Sequence, residues 1–434
     1  MDLKPEIASG VYSNFVLISH IFVPLLHYID VDTHCRSKSE RRQCRQYPEH
    51  PFKYLFHMSS LLLQMQACYV KISCNLLSPV YPVKAMKTIR ISTAEPYDVI
   101  VGNGILGDIG AFVADVFTPR KICILTDSRV NGLYSQVVMS SLMEHGFQTS
   151  KIIFPTGEHS KNLNTYANIV EALADEDITK SDLILALGGG VVCDLAGFVA
   201  GTYMRGIKYL IVPTTIQAAV DSAVGGKAGI NLLSGKNLTG IFWQPSLVVT
   251  DYRTFSSLSK EELLDGTSEV IKCAAVADAT IIDRLREYDH EYVLDRCLSI
   301  KKSLVEADEH DLGIRQLLNF GHTIGHGIEK LSAYSVSHGA AVAKGMIAES
   351  RGAYRTGLSS VDISGQLDDI LTSFNYDTSF NHSADLIYQL ALTDKKIRDG
   401  KINMTVPEYF GKCTLKKISL PDLRELIHAG LFHG

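Results

Sequence analysis

Residues 183–198, LILALGGGVVCDLAGF, constrain the fold more than any other stretch of the chain. An apolar run, Leu183 to Leu187, meets three glycines, Gly188, Gly189 and Gly190, and a helix-like segment follows with Asp194 in its first turn. Strand, glycine turn and helix start together form the arrangement in which backbone N–H groups hold a phosphate. The stretch is neither the G-x-G-x-x-G fingerprint nor a P-loop, because it has no Walker lysine. It predicts an α/β sheet with a ligand at the carboxyl ends of the strands.

The flanking segments agree. YDVIVG (97–102), KICILTD (121–127), TSKIIFP (149–155), DLILALGG (182–189), KYLIVPTT (208–215) and PSLVVTD (245–251) are short β-rich runs. Amphipathic stretches such as TYANIVEALADEDI (165–178) separate them, which predicts a mostly parallel sheet with helices on both faces. After residue 256 strand signals nearly vanish. SKEELLDGTSEVIKCAAVAD, LDRCLSIKKSLVEADEHD and IRQLLNFGHTIGHGIEKLSAY all have helical spacing. The reading is an α/β, Rossmann-like nucleotide-binding domain over 86–256 and an all-α domain over 257–434, with the ligand cleft between them.

Residues 1–85 have a different character, with a basic polar run, RSKSERRQCR (36–45). The apolar run VYSNFVLISHIFVPLLHYI (11–29) is broken by Asn14, His20, Pro24 and His27, which argues against a signal peptide or a membrane span. No motif precedes Met86, so residues 1–85 are read as an extension or a misplaced start. A net charge of −5 gives no pull toward nucleic acid or an anionic membrane. Nine cysteines without a C-x-x-C pair point to a reduced, cytoplasmic chain with buried thiols.

HTIGH places His322 and His326 at i and i+4 on one helix face, His338 follows, and Glu269 lies on an earlier helix. Three imidazoles and a carboxylate suit a divalent metal, zinc by preference. The pair lacks the glutamate of H-E-x-x-H, so spacing alone leaves a metal site and ordinary helix histidines both open. Lys227 and Lys236 each sit beside glycine, where backbone can approach an anion. Arg205, Lys272, Arg315 and the DKK run at 394–396 are further cations, and together they suggest a small, highly anionic substrate.

PTGEHSK (155–161), GGGVVCDLAGFVAGTYMRG (188–206), VPTTIQAAVDSAVGGKAGIN (212–231), GKN (235–237), SEVIK (268–272), EADEHDLGIRQLLNFGHTIGH (306–326), HGAAV (338–342) and DKK follow one another in an order that resembles the 3-dehydroquinate synthases of the sugar-phosphate cyclase superfamily. The resemblance implies conversion of 3-deoxy-D-arabino-heptulosonate 7-phosphate to 3-dehydroquinate and phosphate in the shikimate pathway, with NAD used catalytically and Zn²⁺ or Co²⁺ bound. It also implies a cytoplasmic homodimer. By the same resemblance Asp127, Glu158, Lys161, Gly189, Gly190, Thr214 and Thr215 would hold NAD, with Asp194, Lys227 and Lys236 beside it. Glu269, His322 and His338 would be the metal ligands, and His326 would contact substrate instead. Asp194, Asp221, Lys236, Lys272, Arg315, Asn319 and His326 would surround the reacting centre. Arg205, Lys227, Asn237, Lys272, Arg315, Asn319 and Lys395 or Lys396 would bind the phosphate and carboxylate, and Lys301 would contact substrate. The family usually reads H-G-E-A-V where this chain has Ala340, which is expected to weaken metal affinity if that acid orients a ligand. Two enzyme alternatives share parts of the pattern: an inosose- or valiolone-type cyclase and a metal-dependent polyol dehydrogenase. A non-catalytic binding protein is a third.

Overall fold

The computed structural model describes residues 86–118, 120–333, 335–392 and 397–431. Residues 1–85, with the apolar run at 11–29, and Lys395 and Lys396 lie outside the described residues. The described residues fall within one compact unit, Pro82–Gly434.

The apolar runs become a seven-stranded sheet. Its strands are β1 (Met86–Ile91), β2 (Tyr97–Gly102), β3 (Lys121–Asp127), β4 (Gln148–Phe154), β5 (Leu183–Gly188), β6 (Lys208–Pro213) and β9 (Leu247–Asp251), in the order β1-β2-β9-β6-β5-β3-β4. Only β1, paired with β2, runs antiparallel within it. Side chains alternate between its faces. Ile122, Ile124, Leu183, Leu185, Leu187, Leu210, Val212, Leu247 and Val249 pack under helices α1 (Ile109–Val116) and α2 (Gln136–Glu144). Cys123, Leu125, Ile184, Ala186, Ile211 and Val248 face the other way, against α3 (Leu163–Asp175) and α4 (Gly190–Thr202). That face shares one continuous core with the helical region, including Val270, Ile271 and Leu298. Strands buried on both faces read as unbroken apolar runs, which is why the sequence located them.

The chain steps outward from β3 to β4 and then returns to place β5 on the other side of β3. The crevice at the carboxyl ends of β3 and β5 is a topological switch point, where ligands bind in such sheets. Asp127 ends β3, and Gly189 caps α4 straight after β5. Asp194 is the fifth residue of α4, one position beyond the first turn expected for it.

The helical region comprises α5 (Lys260–Ala277), α6 (Ile281–Arg286), α7 (His290–Ala307), α8 (His322–Leu331), α9 (His338–Arg355), α10 (Ser364–Ser373), α11 (Ala384–Ala391) and α12 (Leu420–Leu431). IRQLLNFGHTIGHGIEKLSAY is not one helix. A 3₁₀ turn, Ile314–Asn319, gives way at Gly321, which has φ +77°, and α8 starts at His322. A Cβ on Gly321 would lie 2.6 Å from Val342 O, so close approach to α9 and the left-handed turn both demand glycine. Two hairpins were not anticipated: β7 (Lys227–Leu232) with β8 (Gly235–Phe242), and β10 (Lys401–Tyr409) with β11 (Lys412–Ser419). The second adds a small sheet to the region read as all-α.

Candidate active site

The glycine turn, hairpin β7–β8 and the start of α8 line one cleft of about 1190 Å³. At its sheet end, Gly189 caps α4 without a side-chain hydrogen bond. A Cβ on Gly189 would reach Thr215 Cγ2 at 3.0 Å, and one on Gly190 would reach Ser222 Oγ at 3.2 Å. Glycine therefore leaves room for a ligand at the helix N–H groups. Asp127 Oδ1 accepts from the backbone N–H groups of Arg129 and Val130, at 2.8 and 2.9 Å, which fixes its carboxylate at the cleft wall. Lys161 Nζ lies 2.9 Å from Asp194 Oδ2 and 3.2 Å from Glu158 Oε1, and Asn231 Nδ2 donates to Glu158 Oε1 at 2.8 Å. Burial pushes Glu158 up, but Lys161 and Lys236 more than offset it and hold the carboxyl below its ordinary range. Asp194 is raised, because burial outweighs Lys161.

At the helical end, Asp265 and Glu269 lie four residues apart on one face of α5. Asp265 Oδ1 accepts from Ser337 Oγ at 2.5 Å and from Gly339 N at 2.8 Å, which ties the first turn of α9 to α5. One turn further along α5, Glu269 then meets His338. Glu349 on α9 accepts from Gly321 N at 2.8 Å and fixes the start of α8, and with it His322. Glu269 Oε1 consequently lies 3.6 Å from His322 Nε2 and 3.4 Å from His338 Nε2. His322 Nδ1 is 3.2 Å from Phe320 O, and His338 Nδ1 is 3.3 Å from Glu329 Oε2. Both rings thus turn Nε2 toward the same carboxylate oxygen. Glu269 Oε1 is buried and accepts no hydrogen bond from the described residues, while Glu269 Oε2 accepts from Lys272 Nζ. An orphan carboxylate oxygen between two imidazole nitrogens is a donor set that fits a divalent cation.

The i, i+4 pair is divided. His322 joins Glu269 and His338, whereas His326 is exposed and falls with Glu329 and His338 in a second cluster. The His322 and His326 ring centroids are 5.5 Å apart.

Between the two ends lie the cations. Lys227 on β7 pairs with Asp311, Lys236 on β8 with Glu329 at 2.8 Å, and Lys301 on α7 with Asp221. Burial pushes Asp221 up, but Lys301 and Lys272 hold it well below the ordinary carboxylate range. Among the described residues Arg315 has no such carboxylate bond. It is 1% exposed, donates to Glu309 O at 2.7 Å and to Gly225 O at 2.9 Å, and its Nε has no partner. Asn319 Nδ2 is likewise buried without a partner among the described residues. Both side chains line the cleft and present donors for an anion. Gly225, at φ +95°, makes this possible, since a Cβ there would lie 2.3 Å from Arg315 Nη2. Gly225→Ala is expected to lower stability by roughly 2 kcal/mol and to weaken anion binding, checked by thermal unfolding and phosphate-ester titration.

Two family models match, described as 3-dehydroquinate synthase N-terminal over residues 151–265 and 3-dehydroquinate synthase C-terminal over residues 266–397. The 3-dehydroquinate synthase of Enterococcus faecalis is 40% identical over 342 residues, spanning 76% of this chain and 96% of its own. The chain belongs to the 3-dehydroquinate synthase family. Among solved structures, 2-epi-5-epi-valiolone synthase from Streptomyces hygroscopicus with NAD⁺ and Zn²⁺ bound superposes with a TM-score of 0.69 at 26% identity, covering 79% of this chain and 98% of that one. 2-Deoxy-scyllo-inosose synthase, complexed with carbaglucose-6-phosphate, NAD⁺ and Co²⁺, shares the fold at a TM-score of 0.69 and 24% identity, covering 79% and 99%.

Of the residues that the family resemblance singled out, Asp127, Glu158, Lys161, Gly189, Gly190, Asp194, Thr214, Thr215, Asp221, Lys227, Lys236, Asn237, Lys301, Arg315, Asn319, His322, His326 and His338 line the cleft. Glu269 and Lys272 sit directly behind the two histidines, each 1% exposed. Arg205 is the exception. It is exposed, at φ +61° in the turn after α4, and does not line the cleft. Sequence reading missed Asp265 and Glu329, which lie outside the quoted family motifs, and Asp311, which lies within one of them, at 306–326, but was not singled out. Only the fold shows what they touch.

Proposed function

We propose that this chain is a 3-dehydroquinate synthase, converting 3-deoxy-D-arabino-heptulosonate 7-phosphate to 3-dehydroquinate and phosphate. The observation that carries the reading is the cleft lined by the glycine turn of α4, Arg315, Asn319, His322 and His338, with the orphan oxygen of Glu269 directly behind the two histidines. That arrangement suits a dinucleotide, a phosphorylated acid and a divalent ion side by side. The 40% identity with a 3-dehydroquinate synthase, against 26% with the valiolone cyclase, favours the dehydroquinate substrate.

In this reading the α4 N-terminus and Gly189 receive the pyrophosphate of NAD, and Asp127 takes a ribose hydroxyl. Lys161 and Asp194 flank the nicotinamide end, and Thr214 and Thr215 line the same wall. NAD supplies a hydride acceptor and donor, so the reaction is redox-neutral overall. Glu269, His322 and His338 hold Zn²⁺ or Co²⁺, which supplies Lewis-acid polarisation of substrate oxygens. Arg315, Asn319, Lys227, Lys236 and Asn237 orient the phosphate and carboxylate, Lys227 exchanging Asp311 for the substrate while Lys236 stays paired with Glu329. His326, exposed in the cleft, is placed to hydrogen-bond the reacting substrate. Lys301 keeps Asp221 ionised beside it. Residues 1–85 as an extension, a homodimer and a cytoplasmic location belong to the same reading.

The test is phosphate release from the heptulosonate phosphate, with nicotinamide absorbance followed in parallel. Phosphate is expected to accumulate without NADH and to stop when a chelator is added. Stoichiometric NADH would instead identify a polyol dehydrogenase, and no turnover with intact NAD binding would identify a binding protein.

A further inference from the structure

Glu329 sits on α8, buried, on the far side of His338 from Glu269. Its two carboxylate oxygens have different tasks. Oε1 accepts from Lys236 Nζ at 2.8 Å, and Oε2 lies 3.3 Å from His338 Nδ1. On the opposite edge of the same ring, His338 Nε2 faces Glu269 Oε1 at 3.4 Å. We propose that Glu329 is the positioning residue of the metal centre, holding His338 with its proton on Nδ1 so that the Nε2 lone pair points to the ion. The proposal rests on the reading of Glu269, His322 and His338 as metal ligands.

A neutral imidazole has one N–H and one lone pair, and the partner of one nitrogen decides which nitrogen ligates. A buried carboxylate on Nδ1 sets the tautomer, limits rotation of the ring and makes Nε2 a better donor. Lys236 anchors the other carboxylate oxygen from hairpin β7–β8, so the carboxylate has little freedom to turn away. His322 is oriented differently, by the backbone carbonyl of Phe320 at 3.2 Å. Ala340, where the family usually has an acid, therefore does not leave His338 without a carboxylate partner.

The experiment uses the full chain, stripped of metal and titrated with Co²⁺ and Zn²⁺ against a chromophoric chelator. Glu329→Gln keeps the volume but offers one acceptor oxygen to two facing donors, so either His338 or Lys236 meets an NH₂ group. Its metal affinity is expected to fall by about 10- to 100-fold, with a changed visible spectrum of the Co²⁺ form and a metal-free melting temperature close to wild type. Glu329→Ala should show the same loss or more. If Glu329→Gln binds metal as tightly as wild type, the proposal is wrong, whatever happens to its melting temperature. If His326→Ala loses metal as severely as Glu329→Gln, Glu329 ligates an ion together with His326 and does not act through His338, which also overturns it. If wild type and His322→Ala bind metal equally, the metal reading itself falls, and this proposal with it.

Discussion

His322→Ala is expected to purify without its divalent ion and to lose nearly all turnover, while His326→Ala, one helical turn along, keeps the ion and turns over on the order of 10²-fold more slowly. The difference follows from what each ring faces. His322 Nε2 is aimed at Glu269 Oε1 at 3.6 Å, and its Nδ1 is held near Phe320 O, so its alanine variant removes one of three donors. Two remaining ligands do not make a closed site, and added zinc should restore little. His326 is exposed in the cleft and belongs to the cluster with Glu329 and His338. In the proposed reading its loss removes a hydrogen bond to the reacting substrate, and it removes no donor from the Glu269 cluster. Metal analysis of the two purified variants, followed by turnover at saturating substrate, separates the roles. Equal metal loss in both variants would restore the i, i+4 pair as the ligand set. Unchanged metal in both, with lowered stability alone, would make these histidines packing residues.

Lys272→Met is expected to destabilise the metal-free protein by about 3–5 kcal/mol at neutral pH, because it strips the partner from a carboxylate inside the helical core. Glu269 and Lys272 are three residues apart on α5 and each 1% exposed, so water cannot replace the lost ammonium. The pH dependence has a definite sign. Burial alone pushes Glu269 up, but Lys272, with His338 and His322, holds its carboxyl well below the ordinary range. A carboxyl depressed in the folded state contributes stability above its unfolded pKa and loses it as pH falls through the folded value. Without Lys272 burial is less opposed, and the Glu269 pKa rises. The folded variant then takes up a proton more readily than wild type. The stability gap between wild type and Lys272→Met should therefore narrow on going from neutral pH to about pH 5. Urea unfolding of both metal-free proteins at the two pH values checks it. A constant gap would mean that Lys272 contributes packing and not charge. Added zinc should also narrow the gap, since a cation at Glu269 compensates the same carboxylate.

How much of this was legible beforehand depended on whether the signal was local. Strands such as β5, buried at every residue, appear as apolar runs because both faces of a parallel sheet are covered. The glycine turn is local as well, and so is the type of residue a metal or an anion needs. Hairpin β7–β8 hid because its outer strand is half exposed and glycine-rich, so no run of apolar residues marks it. In β10 a period-two signal was present, Ile402, Met404 and Val406 being buried, but Lys401 and Pro407 flank it within a helical context. The 3₁₀ break at Gly321 was misread because helical spacing continues across it, while the left-handed turn depends on contact with α9.

The sequence by itself determined the sheet, the glycine turn and most of the cations and histidines of the cleft, because each is written in residues that are neighbours along the chain. The tertiary structure alone decided which histidine meets Glu269, which carboxylate holds each cation, that Arg205 lies away from the cleft, and that Glu329 stands behind His338. Those are relations between α5, α8, α9 and a hairpin far away in the chain. Their side chains are brought together by the shared core, by Asp265 and Glu349, which tie one helix start to another, and by the close approach that Gly321 allows. Spacing along one helix reports which residues share a face. What that face touches is set by packing between elements, and no period in the sequence encodes it.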